Sequence, residues 1–400
     1  MVSGSNSTAL AFAGALDALR ATSYSNLWNL YGNVDWMDPG QLAATFSALS
    51  PAGIVGETQL MQDRQSRQLL GNVSDRLSML GTGQAKGISF TGGAAPLARN
   101  RDGMSASAQL GLTSGSQTID LPAAGGLTGF VVTGSDHVAS SYGDMRMADA
   151  GQFNRYFASG LEAPMGDAIV GTAIGYAESS SNAGFDEAKS KVTQAAAYAS
   201  LPIGGGAYVG GVVAAERAST NVNRLGTDTA SSFRLSGATR SSRYMATAEA
   251  GFRTGIGHGL SLNPRAQLGV SHYSLGGFRE QGGETALALD DLKVNRIESR
   301  IGAKLDGTTM LGKWALRPNL QADYVRLLSG AGNGLSVAFA AAPEYSFVLP
   351  LTNGGSGWAE IKGGLELTRG AFTIGLSGQA TAGDAPISDQ RGAVDFTFRF

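Results

Sequence analysis

The chain has 400 residues, no cysteine, a net charge of −2 and only 16% charged residues, with 58 glycines and a mean hydropathy near zero. The lack of cysteine excludes disulfides, thiol catalysis and cysteine-based zinc sites, and the balanced charge points to no nucleic-acid partner. No run approaches the ~18 consecutive apolar residues of a membrane helix, but strands that cross as a barrel escape that test because only alternate residues are apolar.

Met1-Val2-Ser3-Gly4 opens on polar residues. An exported chain of this kind is expected to be a fragment whose leader and upstream portion have been removed. Residues 1–50 read as helical. Ala9, Leu10, Phe12, Ala13, Leu16 and Leu19 form one apolar face with Ser7 or Thr8 as cap, and Pro39 starts a second helix through Leu42, Phe46 and Leu49. Ser50-Pro51 supplies the N-cap and first position of a longer helix over 51–82. Its stripe is Leu69, Leu70, Val73, Leu77 and Leu80, its polar side Arg64, Arg67, Asp75 and Arg76, and Gly81-Thr82-Gly83 ends it. Residues 83–127 are a Gly/Ala/Ser-rich linker in which Met104–Ala108 and Thr118–Leu121 are candidates for a short hairpin.

From 128 to 400 the period changes to two. Tyr244, Ala246, Ala248, Ala250 and Phe252 alternate with Thr247, Glu249, Gly251 and Arg253, and Leu262, Ala266, Leu268 and Val270 with Asn263, Arg265, Gln267 and Ser271. Further on, Ile297, Ile301 and Leu305 oppose Arg296, Glu298, Arg300 and Lys304. Leu316, Leu320 and Tyr324 oppose Arg317 and Asp323, and Ile361, Leu365 and Leu367 oppose Glu360, Lys362 and Glu366. The last seven residues alternate strictly, with Phe396, Phe398 and Phe400 on the apolar side. About twelve strands emerge, joined by short links near 164–166, 203–206, 256–259, 307–311 and 368–370. Long links fall near 139–151, 179–188, 218–241, 275–292, 329–354 and 382–390. Short turns on one side and long loops on the other are the pattern of an outer-membrane barrel. A soluble β-sandwich or solenoid shares the alternation. Uniform strand length, loop parity, aromatics near strand ends (Tyr176, Trp314, Tyr324, Trp358) and the terminal Phe favour an all-β transmembrane barrel with an N-terminal α-helical segment.

The order of parts resembles the translocator domain of the autotransporters (type V secretion) of Gram-negative bacteria. The resemblance is carried by Ala48-Leu49-Ser50-Pro51 before the long helix, and by Asp63-Arg64 through Asp75-Arg76-Leu77 along it. Further on it rests on Ala248–Arg253, Glu298–Leu305 and Asp395–Phe400. The long small-residue stretch at 83–127 departs from the family pattern. The resemblance implies an outer-membrane barrel, with 1–50 as a passenger-proximal segment and the 51–82 helix threading the lumen. A passenger is joined covalently upstream and held at the cell surface. Outer-membrane lipid, the barrel-assembly machinery and periplasmic chaperones are the implied partners, and the barrel is expected to be a monomer. A last strand ending in Phe396, Phe398 and Phe400 resembles the signal read by that machinery. Lumen-facing Glu249, Arg253, Arg265, Arg296, Glu298, Arg300, Lys304, Arg317, Asp323, Glu360, Lys362 and Glu366 are candidates to meet Arg64, Arg67, Asp75 and Arg76 of the helix, since buried charges need partners to offset desolvation.

No catalytic, cofactor or metal residues are expected. Ser135-Asp136-His137 reads as a compressed triad, but a strand points Asp136 away from its neighbours. His258 falls at a turn and His272 on the apolar face, with no metal spacing between them. Gly204-Gly205-Gly206 lacks the context of a phosphate loop and marks a tight turn. A porin-like or adhesin barrel without a passenger is the main alternative, and an outer-membrane hydrolase a lesser one.

Overall fold

The computed structural model describes residues 6–52, 54–56, 58–59, 61–63, 65–66, 69–70, 73, 89–92, 115–122, 128–140, 150–183, 186–227, 232–330, 334–351, 356–369, 372–383 and 390–398. Helix α1 (Asn6–Leu19) begins before the expected caps, so Ser7 and Thr8 lie in its first turn, with Thr8 buried. A 3₁₀ turn (Tyr24–Leu27) leads into α2 (Trp28–Val34), and α3 (Pro39–Leu49) follows. Its start is a reciprocal cap. The Asp38 carboxylate accepts from the Gly40 and Gln41 amides, both at 2.9 Å, while the Gln41 side chain accepts from the Asp38 amide. Ser50 then accepts from the Ala52 amide at 3.3 Å, and every described residue between 52 and 73 is helical.

Strands β1 (Ser89–Gly92) and β2 (Gly115–Pro122) fall within the stretch expected to be a linker. They pair with each other and then with β3 (Thr128–Ser140). The sheet continues through β4 (Ala150–Met165), β5 (Ala168–Ala183), β6 (Asp186–Gly204), β7 (Ala207–Thr227) and β8 (Ser232–Phe252). A short β9 (Thr254–Gly257) prolongs β8 before β10 (Leu260–Leu275). β11 (Phe278–Arg279) and β12 (Leu287–Leu289) leave the sheet, which resumes at β13 (Leu292–Gly307), prolonged by β14 (Thr309–Leu311), and β15 (Trp314–Ser329). β16 (Gly334–Phe339) and β17 (Ala342–Pro350) leave it again, and β18 (Gly357–Arg369), β19 (Phe372–Gly383) and β20 (Gln390–Phe398) complete it. The long strands from β3 onward are the expected twelve: β3 to β8, β10, β13, β15, β18, β19 and β20. Each pairs antiparallel with its neighbour in chain order. Among the described residues no ladder joins the two ends of the sheet, although β20 approaches β1 and β3.

The short-side turns are tight, with Gly166, Gly205, Gly312 and the non-glycine His258 all at positive φ. On the other side several long links differ from expectation. Residues 218–241 are mostly strand, because β7 and β8 stay paired from Ala207↔Phe252 to Thr227↔Ser232. A strand of about 20 residues is roughly twice what a tilted crossing needs, so this hairpin projects beyond the membrane. The links 275–292 and 329–354 contain the second sheet, β11-β12-β16-β17. Against it pack α1–α3, with Phe12, Leu16, Leu27, Leu30, Leu49, Leu287, Val337, Phe339 and Leu349 in one apolar core.

Side-chain polarity across the large sheet runs opposite to that of a water-soluble protein. Leu161, Ile174, Val213, Leu268, Ile301, Leu365 and Leu376 are exposed, Ile301 by 67%, while Glu162, Glu216, Arg243, Arg265 and Asp323 are buried. An apolar belt this wide is stable only against an oily phase. No helix among the described residues is long and apolar enough to cross a membrane.

Candidate functional site

The buried polar face of the sheet meets the helix over 52–73. On the helix, Gln65 donates to Ser179 of β5, Ser66 donates to Glu216 of β7 at 2.6 Å, and Gln62 accepts from Ser241 of β8 at 2.7 Å. Asp63 binds Arg243 of β8 and, at 2.8 Å, Arg296 of β13. Ser66 also accepts from Arg243 at 3.1 Å, and Gln194 of β6 donates to the other Glu216 oxygen at 2.7 Å. The Arg243 guanidinium lies over the Tyr273 ring, 5.1 Å from its centroid. Nearer the short turns the contact becomes apolar, with Leu69 and Val73 against Ala158, Ala173, Ala196, Val212, Ala214 and Met245. Alanines there leave room for a helix.

The spacing of these contacts sets the curvature. β5 and β13 are five strand steps apart, about 24 Å across a flat sheet at ~4.8 Å per step. An α-helix with side chains is only about 10–12 Å wide. Gln65 touches β5 while Asp63, two residues away, touches β13, so the sheet curls around the helix. The polar side of this curl is a channel, and the helix occupies it.

Charges not in contact with the helix in this network pair along the wall. Arg253 binds Asp306 at 2.6 Å. Asp323 takes Arg265 at 3.2 Å and Arg300 at 3.4 Å, and Arg300 also meets Glu298 and, at 2.7 Å, Glu360. Glu249 accepts from Tyr208 at 2.6 Å and from Gln267. Tyr198 donates in the same way to Glu162 at 2.8 Å. Both tyrosine rings lie flat over a glycine on the paired strand, Tyr198 over Gly171 and Tyr208 over Gly251, where an added Cβ would stand 2.3 and 2.5 Å from ring atoms. Lys304, Arg317 and Lys362 also make interactions on this sheet.

Of the charges expected to meet the helix, Arg296 does so, through Asp63. The expected helix partners Arg64, Arg67, Asp75 and Arg76 lie outside the described residues, as does Phe400, and so do the side chains of Glu366, Phe396 and Phe398. The sequence reading missed Arg243 and Glu216, although Arg243 stands one place before the alternation at 244–253 and shares the inward parity of Thr247 and Glu249. Gln62, Gln65 and Ser66 were missed because neutral polar residues on a helix give no sign of a partner. His272 is exposed and its Nδ1 lies 2.6 Å from Asn295. Ser135, Asp136 and His137 lie in β3 with undescribed side chains. Among the described residues no three His, Asp or Glu side chains gather as a metal site.

The autotransporter β-domain profile matches residues 140–379, more than half of the chain. The translocator domain of the autotransporter NalP from Neisseria meningitidis is similar in structure, with a TM-score of 0.50 and 16% identity, covering 69% of this chain and 88% of that one. The β-domain of the Bordetella autotransporter BrkA aligns at a TM-score of 0.44 and 18% identity, over 69% and 100%. The transport unit of AIDA-I from Escherichia coli aligns at 0.37 and 12%, over 69% and 91%. No curated protein matches in sequence. With strand order, inverted polarity and family profile in agreement, the chain belongs to the autotransporter β-domain family, outer-membrane translocators of Gram-negative bacteria that export a passenger.

Proposed function

We propose that after export the helix over 51–82 stays in the channel as a plug and tether, joining the barrel to a passenger on its N-terminal side. The polar contacts of Gln62, Asp63, Gln65 and Ser66 with four strands carry this reading. A porin-like function would leave the polar wall to water and ions. Here a carboxylate shared by two arginines ties a helix to it. The wall charges serve to hold that helix and to brace the strands against one another, and the segment itself catalyses no reaction. Assembly would proceed through periplasmic chaperones and the barrel-assembly machinery, with Phe396, Phe398 and Phe400 as the recognised end and the barrel acting as a monomer in outer-membrane lipid.

Deleting residues 51–82 is expected to raise single-channel conductance in planar bilayers. Unchanged conductance would mean that another segment fills the channel. Deleting Phe400 is expected to lower the amount of heat-modifiable barrel in the outer membrane, and an unchanged amount would remove Phe400 from the assembly signal.

A further inference from the structure

We infer that the second sheet, built from the loops after β10 and β15, is a docking surface for the chain's own helices α1–α3. The docked helices act as a lid over the outer mouth of the channel. The inference rests on the reading above, in which the N-terminal segment lies outside the membrane.

The first observation is a change in the wall. Midway along the channel its inward residues are polar, as at Ser179, Glu216 and Arg243. At the long-loop end they become apolar: Val222 on β7, Leu275 on β10, and Leu292 and Val294 on β13, each under 5% exposed. An open aqueous mouth would leave these side chains in water. Instead they join the same apolar core as α1–α3 and the loop sheet. The occupant of the mouth is therefore a part of this chain.

The second observation is how the surface is fixed. The loop after β10 is held to the projecting end of β7 by a bidentate pair between Arg224 and Glu280, both bonds at 2.6 Å and both side chains at most 2% exposed. Glu280 also accepts from the Leu287 amide at 2.9 Å. The loop sheet is thus anchored to the wall by its own charges, apart from anything the helices supply.

The third is the contact itself. The Phe12 ring stacks on Phe46 at 5.8 Å and meets Phe347 and Phe339 edge-on at 5.1 and 5.9 Å. Around this apolar centre run polar contacts at the rim. Asn26 donates to the Ala341 carbonyl at 3.0 Å, the Asn29 amide donates to Glu284 at 3.1 Å, and Ser23 donates to Glu344. An apolar centre with a polar rim is the anatomy of a separable interface. The lid continues directly into the channel helix, since Ala52, Ile54, Val55 and Met61 belong to the lid core and Asp63 already meets the wall.

The test places a reporter thiol under the lid. These 400 residues hold no cysteine, so Val294→Cys supplies the only thiol among them, and intact cells are treated with a bulky, membrane-impermeant maleimide, with the parent protein as the labelling blank. With the lid shut, labelling is expected to be slow. Phe12→Asp on the lid, or separately Phe339→Asp on the loop sheet, should speed it by about 100-fold, because labelling follows the open fraction and an aspartate in an apolar core is strongly disfavoured. Heat-modifiability confirms that the barrel is assembled in each variant. Equal labelling with and without either aspartate overturns the lid, as does loss of the barrel in both variants, which would make the helices part of the barrel's own fold. A channel helix that fails the conductance test leaves this readout intact, so the two readings fail separately.

Discussion

Phe12 and Phe252 carry the same side chain and meet opposite surroundings. Phe12 is fully buried among the helices and the loop sheet, whereas Phe252, on the outer face of the wall, is 44% exposed. The arginines reverse in step. Arg243 is buried in the wall against Asp63, while Arg20 in the lid lies exposed and pairs with Asp35 at 3.2 Å. One chain therefore builds two cores by two rules, an apolar one outside the membrane and, within it, one that buries paired charges beside a small apolar seat for the helix. The boundary between them runs along a single helix, between Met61 in the lid core and Asp63 in the channel.

The polar core is the more brittle of the two. Removing Asp63 leaves Arg243 and Arg296 facing each other without their shared carboxylate, a loss of the order of 3–5 kcal/mol for a broken buried pair. Asp63→Ala is expected to free the helix from the wall, seen as rapid amide exchange in the helix while the strands stay protected. Replacing Arg243 as well by Met should restore part of the protection, because fewer unpaired charges remain buried. Protection unchanged in Asp63→Ala would show that the apolar contacts of Leu69 and Val73 hold the helix by themselves.

The outer face of the wall gives the next largest effect. Ile301 points away from the channel, and its neighbour Arg300 points into it, bonded to Glu360. Ile301→Arg is expected to cost about 2–4 kcal/mol if it sits near mid-membrane and to lower the yield of folded barrel in lipid vesicles. Equal folding of the variant and the parent in vesicles would place Ile301 outside the hydrocarbon layer.

How much of this was legible depended on which rule a segment follows. The wall was readable because the period of two survives in lipid. Leu262, Leu268 and Val270 are apolar and face outward, Arg265 and Glu249 are polar and face inward, and the strand count follows from such runs. The loop sheet was read as polar linkage although Leu335, Val337 and Phe339 alternate, as do Phe347, Leu349 and Leu351. Those runs are short, and the surrounding Gly, Asn and Asp residues masked them. Of the lid helices, α1 and α3 were legible as helices, from the apolar face of Ala9–Leu19 and from Pro39 at the start of the other. Their destination was not, because an apolar face shows that burial is needed and says nothing of the surface that provides it. The helix seat lay hidden for a further reason. Its contacts join residues more than a hundred positions apart, through Gln, Ser and Asp side chains that carry no periodic signature.

The smallest expected effect is at the rim of the lid, where the comparison can be sharpened by acid alone. Glu344 is held below the ordinary carboxylate range, chiefly by the hydroxyl of Ser23 donating to it and then by its own backbone amide. A carboxylate whose folded pKa is depressed stabilises the docked state above its unfolded pKa, about 4.3 for a glutamate. That contribution is lost as the pH falls through the lower, folded value. Ser23→Ala should therefore loosen the lid slightly at pH 7, lowering the melting temperature of the tryptophan signal from Trp28 and Trp36. The difference between variant and parent should shrink as the pH falls through the lowered Glu344 value. Glu344 is exposed although Ser23 is buried, so solvent screens the charge and the shift is small. A difference that persists unchanged into acid would mean that Ser23 acts by filling space in the lid and owes nothing to the charge of Glu344.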